Sequence, residues 1–319
     1  MGYTSGSKTL PDILDEIANG LIATVHWQNI TSYDAGATAW TTTTKTGDSA
    51  KRALRYVNGS EEIFLSMTVT NTYRNVYPGA YYYKGLEIVF SASWDSVNHT
   101  YPSSNQKTHL LIEGHSGAVS ADMATLQIQY YLWLEENGFV ITGKPEAHAD
   151  AYQSGFFAVI ERNPNKEYSD GFSNFYYFGM SNYWGVMWGW DYGNAKQRVV
   201  MRPFAYVYPP DGTGTMTLTP AQLLSGSYGV SAIPTPSYYA FKSAVGSGKV
   251  YYVKPIVNNT QTSACPIFQA ELWFPWSEGV GLIDGDVIAI EGQTTKFLCK
   301  AIDSPDTTTR LCFAIKYVA

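Results

Sequence analysis

"TLQIQYYLWLEENG", residues 125–138, decides the fold class. Leu126, Ile128, Tyr130, Leu132 and Leu134 recur at every second position, so one face of an extended segment turns inward onto a core. "EENG" then supplies a turn, with Asn137-Gly138 as its hairpin signal. The same period of two governs "EIFLSMTVT", where Ile63, Leu65, Met67 and Val69 share a face. "GLEIVFSASW" repeats it with Leu86, Ile88, Phe90, Ala92 and Trp94, and "FFAVIER" and "RVVMRPFAYVY" follow. Short strands split by Gly, Asn and Pro turns predict a mainly β chain, built on an antiparallel β-sandwich.

One segment breaks the rule. In "TLPDILDEIANGLIA", residues 9–23, Leu10, Ile13, Leu14, Ile17, Leu21 and Ile22 fall on one helical stripe. Thr9 suits the cap, Pro11 the first turn and Asp12 the positive end of the helix dipole. The stripe must be buried on its own domain or on a neighbouring subunit. Ile13, Leu14, Ile17 and Leu21 are therefore candidate interface residues as well as candidate core.

The domain plan follows from changes in texture. Residues 1–24 form a short N-terminal amphipathic helical arm and residues 25–210 the large β-sandwich domain. Residues 211–237, rich in Pro, Gly, Ser and Thr, read as a linker. Residues 238–319 form a smaller C-terminal β-barrel or sandwich domain. Near its end, "TKFLCKAI", "DSPDTT" and "TRLCFAIKY" read as strand, turn and strand. A turn symmetric about Asp303–Thr308 places Cys299 opposite Cys312, and Leu298 opposite Phe313. With three cysteines in the chain, two neighbouring reduced thiols are expected rather than a disulfide.

"FYYFGMSNYWGVMWGWDYG", residues 175–193, carries the densest ring surface. Read as strands about Ser181-Asn182, its second half sets Trp184, Val186, Trp188, Trp190 and Tyr192 on one face. The opposite face, with Gly185 and Gly189, is nearly bare. Glycine weakens a strand, so something presses close on that side. Three roles compete for Trp184, Trp188, Trp190 and Tyr192: packed core, a surface buried against another subunit, or a platform on which sugar rings stack.

Composition narrows the partners. The chain of 319 residues carries only 15% charged residues, against roughly 25% in an average soluble protein. Its net charge of −6 and lack of basic runs exclude nucleic-acid backbone binding. No stretch approaches a membrane span, and "MGYTSGSKTL" lacks the apolar core of a signal peptide.

Chemistry is sparse. His109, Glu113 and His115 come closest to a metal set, but a spacing of four and two along a strand suits solvated polar residues better than zinc. No nucleophile elbow, phosphate-cradling loop or HExxH helix is present. "DGD" at Asp284–Asp286 reads as a tight turn entering the strand "VIAI", not a calcium loop. Glu87, Glu113, Asp150 and Glu161 are available for a glycosidase carboxylate pair, and nothing singles out any of them. No enzyme activity, cofactor or metal is expected.

Three stretches add a resemblance. "DGDVIAIEGQTTKFLCKAIDSPDTTTRLCFAIKYVA" (284–319), "GLEIVFSASWDSVNHTYPSSNQ" (85–106) and "YYLWLEENGFVITGKPEAHADAYQSGFFAVIER" (130–162) are similar to segments of virion structural proteins of tailed bacteriophages. The resemblance implies a β-rich subunit of a ring or shell in the tail or baseplate. Its partners would be itself, as a homo-oligomer, and other virion proteins; its location would be the virion, after assembly in the host cytoplasm. The alternative is a carbohydrate- or host-receptor-binding β-sandwich module, with a host-surface glycan as partner, motivated by the aromatic row.

Overall fold

The computed structural model describes residues 2–30, 51–75, 82–91, 95, 107–114, 122–146, 155–162, 175–181, 206–207, 216–218, 252–253, 257–259, 272–275, 285–289, 292, 294–302 and 311–318. The first half of the chain runs β1 (Gly2–Thr9), α1 (Leu10–Ile22), β2 (Trp27–Asn29), β3 (Lys51–Asn58), β4 (Glu61–Asn75) and β5 (Tyr82–Ser91). It continues through β6 (Lys107–Gly114), β7 (Gln127–Glu135), β8 (Gly138–Pro145), β9 (Phe156–Arg162) and β10 (Phe175–Ser181). The second half supplies β11 (Tyr206–Val207), β12 (Met216–Leu218), β13 (Tyr252–Val253), β14 (Val257–Asn259), β15 (Leu272–Pro275), β16 (Val287–Ala289), β17 (Lys296–Ile302) and β18 (Leu311–Tyr317).

Two five-stranded sheets make the sandwich, in the orders β1-β7-β8-β9-β10 and β2-β3-β4-β5-β6, with every pairing antiparallel. Their inner faces meet in one core. Ile128, Tyr130, Leu132, Phe139, Ile141, Phe156, Ala158 and Ile160 come from the first sheet. Leu54, Tyr56, Ile63, Leu65, Met67, Val69, Leu86 and Ile88 come from the second. The positions that alternation turns inward on β4 and β7 are buried, with Leu126 and Leu134 half-buried at the margin. On the other face of β4, Phe64 and Ser66 are buried too, Phe64 with Ile30 and Ala53.

Helix α1 sits where β1 and β2 begin the two sheets, packed on β1, β2, β3, β4 and β7. Thr9 caps it: the Asp12 amide donates to Thr9 Oγ1 at 3.3 Å, and that hydroxyl donates to Asp12 Oδ2 at 2.6 Å. Ala23 closes the far end, its amide donating to Asn19 O at 3.0 Å. Leu10, Ile13, Leu14, Ile17 and Leu21 are at most 1% exposed, so the chain's own sheets cover the stripe, with Ile22 half-buried at its end. Residues 2–9, which carry no apolar pattern, add an edge strand in front of the helix. The segment set apart as an arm is thus two elements of the sandwich.

The β7–β8 hairpin is as short as a hairpin can be, since Glu135 pairs with Gly138 and the loop is Glu136-Asn137. The turn expected from "EENG" is present, with Gly138 already in the strand. Residues 211–237, expected as linker, contribute β12, which pairs with β11 on one side and β14 on the other.

The C-terminal region forms a five-stranded antiparallel sheet in the order β13-β15-β18-β17-β16. Gly285, at φ 98°, makes the tight turn into β16; its amide donates to Cys299 O at 2.8 Å. The β17–β18 register corrects the expected one. Ile302 pairs with Leu311, so the loop holds residues 303–310 and is two longer than the six-residue turn assumed. Cys299 then lies opposite Ala314, and Cys312 opposite Ala301. A slip of two keeps every side chain on its face but separates the cysteines along the ladder. Cys299 is a buried thiol.

Candidate functional site

Three polar groupings hold the sandwich together, and each is a candidate site. The first lies between β1, α1 and β7. Glu16 Oε2 accepts from Lys8 Nζ at 2.8 Å and from the Tyr130 hydroxyl, while the Lys8 ammonium stands 5.7 Å from the Tyr130 ring centre. Burial opposes ionisation of Glu16, but hydrogen bonds from Lys8, Tyr130 and Thr4 together outweigh it and lower its pKa. The Glu16 hydrogen bond raises Lys8; burial, then the same carboxylate, raises Tyr130.

These shifts fix a pH dependence. The Glu16 contribution to stability is complete above the ordinary glutamate range and is lost as pH falls through its lowered folded value. Those of Lys8 and Tyr130 are complete below about pH 10 and are lost as pH rises through their raised values. Glu16→Gln is expected to flatten both limbs of a plot of urea midpoint against pH. An unaltered acid limb in the variant would show that the triad does not act this way.

The second grouping is Asp15, Asn19 and Arg52. Arg52 stands on β3 in the inward row with Leu54 and Tyr56, and is only 6% exposed. It donates to Asp15 Oδ1 and, at 3.3 Å, to Asn19 Oδ1, both on α1. A buried charge requires such partners. The pair ties helix to sheet.

The third grouping occupies the end of the sandwich at the β3–β4 and β7–β8 turns. His26 Nδ1 donates to Val57 O at 3.1 Å, and its Nε2 lies 3.8 Å from Glu136 Oε1. Trp27 Nε1 donates to Glu136 O at 3.2 Å, and the Trp27 ring meets Tyr56 edge-on at 5.3 Å. Arg162 donates to Glu61 at 2.8 Å, with its guanidinium 5.9 Å from the Tyr56 ring centre. Imidazole beside carboxylate suits acid–base work, but His26 has no hydroxyl or thiol partner among the described residues. The grouping pins β2 to both turns.

Outside the core, β7 turns Tyr131 and Trp133 toward the C-terminal sheet. Lys300 Nζ stands 4.2 Å from the Tyr131 ring centre, and Lys316 Nζ 4.5 Å from that of Trp133. Tyr3 and Tyr317 meet edge-on at 5.5 Å. Lys300 is 4% exposed, so its contact with Tyr131 is a desolvated cation–π contact, while Lys316 and Trp133 are half-buried. Nothing in the sequence announces them, because each ring and its cation come from strands far apart in the chain.

The residues singled out in the sequence fare unevenly. Trp184, Trp188, Trp190 and Tyr192 lie outside the described residues, as do His115 and Asp150. Ile13, Leu14, Ile17 and Leu21 are core. His109 and Glu113 lie opposite Glu87 and Lys84, across a register shift, so simple alternation does not relate them. Glu161 is buried on β9. Among the described residues no three His, Cys, Asp or Glu side chains converge as a metal set, and no helix is long and apolar enough to cross a membrane. Compared with protein-family models, curated proteins and solved structures, the chain matches none.

Proposed function

We propose that this chain is a non-enzymatic structural subunit of a bacteriophage particle, in the tail or baseplate, acting through contacts between copies of itself and with other virion proteins. The observation that carries the reading is where ionisable groups among the described residues go. Lys8–Glu16, Arg52–Asp15, Arg55–Glu62 and Arg162–Glu61 each join two elements of the sandwich. Lys300 and Lys316 are spent on aromatic rings between the two halves. Charge used as mortar, in a chain with little charge to begin with, fits a building block better than a catalyst. The resemblance of residues 85–106, 130–162 and 284–319 to phage virion proteins supplies the setting.

Negative-stain imaging of the purified full chain tests this reading. Closed particles of repeated subunits are expected; isolated single subunits in every field would count against it.

The aromatic row favours a second reading, a carbohydrate- or host-receptor-binding module. It requires exposed Trp184, Trp188 or Trp190 and a shift of tryptophan fluorescence with a bound glycan. Fluorescence unchanged across a broad glycan panel would remove it.

A further inference from the structure

Among the described residues, strand β1 ends its sheet and no strand pairs with its outer edge. It pairs with β7 in an unbroken register, from Gly2 opposite Leu134 to Thr9 opposite Gln127. In an antiparallel ladder, alternate residues turn both N–H and C=O away from the paired strand. Among the described residues, nothing outside the β7 ladder hydrogen-bonds the main chain of residues 2–8.

Natural sheets guard such an edge with a proline, a bulge, charged side chains, a very short strand or a covering segment. Strand β1 has eight residues, no proline and no register shift. Ser5, Gly6, Ser7 and Lys8 are exposed. Lys8, its one charged side chain, is drawn to Glu16 rather than left to guard the edge.

We propose that β1 pairs with the β1 of a second copy of this chain, antiparallel about a twofold axis, so that the two sheets join edge to edge. The inference rests on the reading of the chain as an assembly subunit. A second copy is the partner the edge fits, because a twofold joint needs one self-complementary patch. An axis normal to the sheet pairs positions of equal parity, so outer face meets outer face.

The register that uses Gly2–Lys8 puts Ser5 on the axis, facing its own counterpart. Thr4 then faces Gly6, Tyr3 faces Ser7, and Gly2 faces Lys8. The two lysines stand at opposite ends of the joint, and no like charges oppose. At its centre every side chain is small, which lets the strands close to ladder spacing, about 4.8 Å.

Ser5→Lys and Ser5→Glu test the joint, since each puts like charges face to face at the axis while altering one exposed side chain. Each variant alone is expected to have a lower mass than wild type by light scattering, and an equal mixture of the two to regain it. Variants that keep the wild-type mass, or a mixture that fails to recover, would overturn the β1 joint and leave the assembly reading standing. A wild-type chain that is monomeric at every concentration would defeat both. Hydrogen exchange on the wild type is a second check. Amides of residues 2–8 gain protection with concentration if the joint forms, and exchange at one rate throughout if it does not.

Discussion

Removal of residues 1–24 is expected to unfold the sandwich, rather than to release a folded core that has lost an appendage. The deletion takes β1 from the edge of one sheet and α1 from between the two. Leu10, Ile13, Leu14, Ile17 and Leu21 are each at most 1% exposed. Full burial of such a side chain is worth about 1.5–3 kcal/mol, so five of them contribute roughly 7–15 kcal/mol, as much as the net stability of an ordinary domain. The deletion also strands Arg52 in the core without Asp15 and Asn19, and an uncompensated buried charge is a further heavy cost. Circular dichroism is expected to show loss of the cooperative thermal transition. A truncated chain that melts cooperatively near the wild-type temperature would show that the helix is dispensable to the core.

Gly138→Ala is the single substitution with the largest expected effect. A β-carbon at Gly138 would stand 1.9 Å from Ile160 O and 2.7 Å from Ile160 C. Both atoms are main chain of β9, the strand paired with β8, so no rotamer change relieves the overlap. The strands must separate where β8 leaves its two-residue turn. Overpacking of this kind costs about 3 kcal/mol, at the upper end of the usual range, and would appear as a lower urea midpoint with unchanged slope. Gly20→Ala is the control. Its β-carbon would meet Leu134 Cδ1 at 2.5 Å, the far end of a flexible side chain. Alanine gains about 1 kcal/mol in a helix interior, so the net change is expected to be small. Equal losses in the two variants would contradict this packing.

Much of the sandwich was legible because its central strands alternate cleanly. In β4 and β7 the inward row is apolar at nearly every position, and α1 carries its cap, its proline and its stripe together. Of the strands that the sequence does not announce, two are hidden for different physical reasons. Strand β1 is held by main-chain pairing at a sheet edge, and "GYTSGSKT" has no apolar face to betray it. Strand β3 hides its period behind Arg52, a charge in a core row that becomes intelligible only once α1 brings Asp15 across.

The β17–β18 register depended on where a loop begins, which composition does not fix; its faces were right and its pairs were not. The candidate site was less legible than the fold. Two of its three groupings join residues more than a hundred positions apart, as Glu16 with Tyr130 and Glu61 with Arg162. No local motif encodes that neighbourhood.

The proposed function lies in contacts between copies of this chain and with other virion components. The most direct measurement is the mass of the purified full-length protein in native solution, by light scattering across a dilution series. A closed oligomer that persists on dilution is the expected result. A monomer at every concentration, with no association with any other component of the particle, would contradict it.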